Sequence, residues 1–62
     1  MRYLWEIVEE SARQHKKIGF TVHQWIDKLV KDKHLMEIFY QNFPTAEMVQ
    51  SYLYHRWEAV ND

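Results

Sequence analysis

The chain has 62 residues, of which 47% are hydrophobic and 27% charged, with one glycine, one proline, no cysteine and a formal net charge of −1. A chain of this length buries only roughly 60% of the surface its unfolded form exposes, which leaves room for one shallow core and excludes a deep substrate cavity between two domains. The lack of cysteine excludes disulfides, thiolate metal cages and thiol nucleophiles, so the expectation is a single domain over residues 1–62 that is stabilised by packing alone.

Glycine and proline together occupy two positions where average usage would give roughly seven. Little of the chain is therefore loop, and the apolar residues recur at helical spacing almost throughout. The fold class expected is all-α: a compact bundle of about four short helices over residues 2–17, 22–32, 33–41 and 46–60.

In the first helix Leu4, Ile7, Val8, Ser11, Ala12 and His15 form one stripe, opposite Glu6, Glu9, Glu10, Arg13 and Lys17. Lys16 and Lys17 suit the negative helix end, and Gly19 supplies the left-handed residue that stops the helix. Thr21-Val22-His23-Gln24 reads as a capping box, flanked by Phe20 and Trp25 as a hydrophobic staple. The second helix then carries Val22, Trp25, Ile26, Leu29 and Val30 on its apolar face.

Continuing that helix in phase would place Lys33 at the centre of the stripe and move Leu35, Ile38 and Phe39 off it. The phase resets near residues 32–34, so a separate third helix is expected, with Leu35, Met36, Ile38, Phe39 and Tyr40 on a wide apolar face. Fusion of the second and third helices into one bent rod is the alternative. Pro44 forces Phe43 out of the helical region, and Thr45 is a preferred N-cap for the fourth helix. That helix presents Met48, Val49, Tyr52, Leu53, Trp57 and Val60 on one face. The expected core is Ile7, Val8, Phe20, Trp25, Ile26, Leu29, Ile38, Phe39, Val49, Leu53 and Trp57.

Chemistry has little to stand on. Of the four histidines, His15, His23, His34 and His55, His23 with Asp27 and His55 with Glu58 lie one turn apart, but two ligands do not make a closed metal site. Besides the tyrosines, the hydroxyls are Ser11, Thr21, Thr45 and Ser51, of which the two threonines are caps; a phosphate-binding loop cannot be built from one glycine. Adjacent carboxylates such as Glu9 and Glu10 diverge on a helix and make a poor acid–base couple. No enzyme, no cofactor and no bound metal are therefore expected.

Charge is unevenly distributed, with net values of −2 over residues 1–12, +4 over 13–34 and −3 over 35–62. The basic middle, Arg13, Lys16, Lys17, Lys28, Lys31 and Lys33, offers a DNA- or RNA-binding reading. A helix-turn-helix over residues 35–57 would instead present Glu47 and Glu58 to phosphates, which repel them.

The stronger signal is the 16% aromatic content together with polar residues in apolar stripes. Arg56 projects near the centre of the fourth helix's face and His15 near that of the first. Either residue lies at the margin with its polar end in water, or these faces are partly contact surface, where Arg, Trp and Tyr are enriched. A third reading of Arg56 is a buried partner of Glu6 or Glu37. Trp5, Tyr40 and Tyr54 lie off the centres of their stripes. The function expected is thus a non-enzymatic interaction module that docks a protein partner, or itself, through Trp5, Tyr40, Tyr54 and Arg56.

No run approaches the roughly 18 apolar residues of a membrane span. Glu6, Glu9 and Glu10 interrupt the N-terminal segment before a signal-like apolar stretch can form. A cytoplasmic setting with no membrane partner is expected.

Overall fold

In the computed structural model, which describes residues 2–60, four helices follow in order: α1 (Leu4–Lys17), α2 (Val22–Val30), α3 (Lys33–Asn42) and α4 (Ala46–Ala59). Met1, Asn61 and Asp62, included in the expected domain, lie outside the described residues. The boundaries follow from local hydrogen bonding. α1 ends in a Schellman motif: Phe20 N–H donates to His15 O at 3.0 Å and Gly19 N–H to Lys16 O at 3.2 Å, with Gly19 at φ +93°. Valine or any other side chain there would be strained by the backbone angle alone.

The capping box at Thr21 is complete. Gln24 N–H donates to Thr21 Oγ1 at 3.2 Å, and Thr21 N–H donates to Gln24 Oε1 at 3.0 Å. Asp32 separates α2 from α3, because its carboxylate accepts from Leu35 N–H at 3.2 Å and caps a new helix. The separate third helix expected from the loss of phase is thus present and the alternative of one bent rod is not, and α2 stops at Val30 rather than at residue 32. Thr45 caps α4 through Met48 N–H at 3.2 Å.

α4 packs against all three other helices, and α2 also packs against α3. The radius of gyration, 11.0 Å, is close to the about 10.6 Å expected for a compact chain of this length. The core consists of Val8, Ala12, Trp25, Phe39, Val49, Leu53 and Val60, each at most 2% exposed. Phe20, Ile26, Leu29 and Trp57 pack against it half-buried, as do Leu4, Leu35, Met36, Phe43 and Tyr52. Trp25 and Trp57 meet at 5.1 Å between ring centroids, and Tyr52 sits between Phe43 at 4.7 Å and Phe39 at 6.3 Å.

Two expected core residues are corrected. Ile7 and Ile38 are 45% and 44% exposed, and Met48, placed on the apolar face of α4, is 46% exposed. All three share one cause. Each immediately precedes a buried residue (Val8, Phe39, Val49) and so lies about 100° away from it around the helix. The helices are in contact along seams that run through positions four apart, such as Val8 and Ala12 or Val49 and Leu53, and a chain this small has no further layer to cover the flanks. Ala12 and Val60 take the places of the isoleucines. Ala12 is fully buried on the α1 seam, where a small side chain permits close approach to a neighbour.

Candidate docking groove

An open groove of about 480 Å³ lies between α2 and α4. From α2, Ile26 and Val30 supply aliphatic surface, flanked by His23 and Asp27; from α4 come Glu47, Gln50, Ser51 and Tyr54. The arrangement follows from the helix seams. Trp25 and Leu53 point inward, so the next positions, Ile26 and Tyr54, turn outward along the edges of the contact between α2 and α4. Tyr54 is 44% exposed. Its phenol is held above the ordinary tyrosine value, first by a hydrogen bond to Glu58 one turn on, then by the charge of that carboxylate and a smaller desolvation effect. The groove thus joins an apolar strip to a protonated hydroxyl, an amide and two carboxylates.

The other residues expected to bind a partner fall elsewhere. Trp5, 47% exposed and stacked on Tyr3 with ring centroids 6.4 Å apart, lines a separate depression on α1 with Glu6, Glu9 and Arg13. Tyr40 is 48% exposed on α3. Arg56 is engaged within the fold: Nη1 donates to Glu9 Oε2 at 2.9 Å, and the guanidinium lies 5.5 Å from the Tyr52 ring centroid. Its carboxylate partner is therefore Glu9, not Glu6 or Glu37. The side chains of Arg56 and Glu9 are 36% and 19% exposed, and Arg56 Nε is buried without a hydrogen-bond partner among the described residues. Burial also raises the Tyr52 phenol; the nearby Arg56 charge opposes this and Glu9 adds to it.

The basic set is partly consumed by structure. Lys16 donates to the carbonyls of Trp57 at 2.7 Å and Val60 at 2.6 Å, and its ammonium stands 5.1 Å from the Trp57 ring centroid. It closes the C-terminus of α4, where carbonyls lack helical partners. Lys31 pairs with Asp27 at 3.0 Å, and Lys28 lies 3.3 Å from His15 Nε2 and 5.4 Å from the Phe20 ring centroid. Arg13, Lys17 and Lys33 are exposed.

His15 is also held from within. Its Nδ1 lies 2.7 Å from Ser11 O; because a carbonyl only accepts, Nδ1 carries the proton and Nε2 is left to accept from Lys28. Ser11 Oγ in turn accepts from the indole N–H of the buried Trp25 at 3.1 Å. No group of three or more His, Asp or Glu side chains able to hold a metal ion occurs among the described residues.

Sequence reasoning names Tyr54 but misses the rest of the groove, in which Ile26 and Val30 read only as part of the α2 stripe. Only the pairing of α2 with α4 brings them together. The role of Lys16 had a signal in its place in the last turn of α1, but its acceptors lie 41 and 44 residues away. Compared with protein-family models, curated proteins and solved structures, the chain gives no match in any of the three.

Proposed function

We infer that the protein is a non-enzymatic interaction module, a cytosolic regulator or adaptor, that docks a protein partner through the groove between α2 and α4. The observation that carries this reading is Tyr54: a large aromatic side chain, 44% exposed, that lines a groove together with Ile26 and Val30. A rigid aromatic beside aliphatic surface, ringed by polar groups, has the composition of a binding anchor with its rim. Trp5 and Tyr40 provide further exposed aromatic contacts on α1 and α3. Nucleic-acid binding through the basic segment is the weaker reading, because Lys16, Lys28 and Lys31 already have partners within the fold.

The test is affinity capture from the native host at low and high salt, analysed for protein and nucleic acid, with the wild type and Tyr54→Ala. The expected result is a stoichiometric protein retained at both salt concentrations and lost in a folded Tyr54→Ala variant. Capture of nucleic acid alone, falling steeply with salt and abolished by replacing Arg13, Lys17 and Lys33 with Gln, would overturn the reading in favour of the basic segment.

A further inference from the structure

We propose that the groove between α2 and α4 receives the turn between α1 and α2 of a second copy of this chain, with Ile18 seated against Ile26 and Val30 and Lys17 facing Glu47. The inference rests on the reading of the groove as a docking surface and names its occupant. Two observations on opposite sides of the molecule's chemistry point to it.

The first is the turn itself. Ile18 is 69% exposed, the most exposed aliphatic side chain among the large hydrophobics, although it directly follows a helix whose own seam is fully buried at Ala12. A side-chain carbon added at Gly19 would meet nothing within 4 Å, so the turn is open to solvent beside Ile18, while Phe20 on its other side packs against the core. The Schellman hydrogen bonds fix its backbone, and little conformational freedom remains to be lost when it docks. The result is an exposed aliphatic side chain on a backbone fixed by hydrogen bonds, with the exposed Lys17 beside it.

The second is the groove's charge. Its lining includes the carboxylates of Asp27 and Glu47 and neither lysine nor arginine. Lys31 meets Asp27 in an exposed pair with side chains 74% and 64% accessible, the kind of contact that water and other cations readily exchange. Glu47, in the first turn of α4, sits across the groove from α2. Aliphatic surface edged by carboxylates is the complement of an isoleucine edged by a lysine. Every chain carries both halves, so the contact is either reciprocal, closing a two-fold dimer, or runs on from copy to copy.

Sedimentation of the purified chain from about 10 µM to about 1 mM tests this, a range that detects even weak association. The expected result is a mass that rises with concentration and an association weakened at least about tenfold by Ile18→Glu, as truncating or charging an anchor does. Lys17→Glu and Glu47→Lys should each weaken it by about threefold to tenfold, and the chain carrying both should recover most of the loss, since complementary charges are restored. Circular dichroism checks that each variant keeps its helices. A mass that stays monomeric throughout, or self-association indifferent to Ile18→Glu and Glu47→Lys, overturns the proposal. Its failure is separate from that of the docking reading: a monomeric chain that still captures a host protein in a Tyr54-dependent way removes only the second copy as occupant.

Discussion

At the scale of single residues, the instructive case is Arg56. Its position in the middle of an apolar stripe was legible from spacing, but its partner was not, because Glu9 lies 47 residues away and depends on how α1 lies across α4. The partly buried pair should behave as a unit. Arg56→Ala leaves the Glu9 carboxylate without its cation and should cost about 1–3 kcal/mol in urea melts, with less lost in the Arg56→Met, Glu9→Gln double variant than in the sum of the single changes. Additive losses would mean that the two side chains stabilise the fold independently.

Tyr52, beneath the same guanidinium, has a phenol raised chiefly by burial. A raised value means that the folded chain holds this proton more tightly than the unfolded chain. The stability it contributes is therefore fully present below the ordinary tyrosine value of about 10 and is lost as pH rises through the folded value. Melts between neutral and strongly alkaline pH should show a smaller alkaline loss in Tyr52→Phe than in the wild type. Tyr54→Phe serves as the comparison, since the Tyr54 phenol is raised by Glu58.

At the scale of elements, the helix starts and stops were the most readable part of the chain. Gly19, Thr21, Gln24 and Thr45 act through bonds to backbone groups at most a few residues away, so their roles are written locally. Asp32 acts in the same way, and its position after the loss of phase explains why two helices form rather than one rod. The faces were read less well. A stripe of apolar residues gives a helix its inward direction but not the width of the contact, and Ile7, Ile38 and Met48 fall on the flank that a thin bundle leaves uncovered. The C-terminus of α4 is closed by a residue of α1, which no local signal encodes. Lys16→Met keeps most of the stem while removing two charge-assisted hydrogen bonds, and should cost about 1–3 kcal/mol. Amide exchange should rise selectively in the last turn of α4; protection unchanged there would show that the carbonyls are satisfied without the ammonium.

At the scale of the whole molecule, one side chain links three helices. Trp25 of α2 is fully buried, packs on Trp57 of α4 and donates to Ser11 of α1. Trp25→Ala should cost about 3–5 kcal/mol, comparable with the entire stability of a small domain, and circular dichroism at room temperature should report a largely unfolded chain. Trp25→Phe keeps much of the volume but loses the indole N–H, and a folded, weakened variant is the expected contrast. Retention of full stability by Trp25→Ala would displace this residue from the centre of the core.

The placement of α4 has a consequence for the order of events during synthesis. It follows the other three described helices in sequence and is the one on which all three pack. While translation proceeds, α1, α2 and α3 leave the ribosome without the surface that buries Val8, Trp25 and Phe39, and isolated helices of 9–14 residues are marginal in water. Cooperative structure therefore waits until Val49 and Leu53 have cleared the exit tunnel, so a nascent chain arrested before α4 emerges remains open to proteases and chaperones, whereas one released after it resists both.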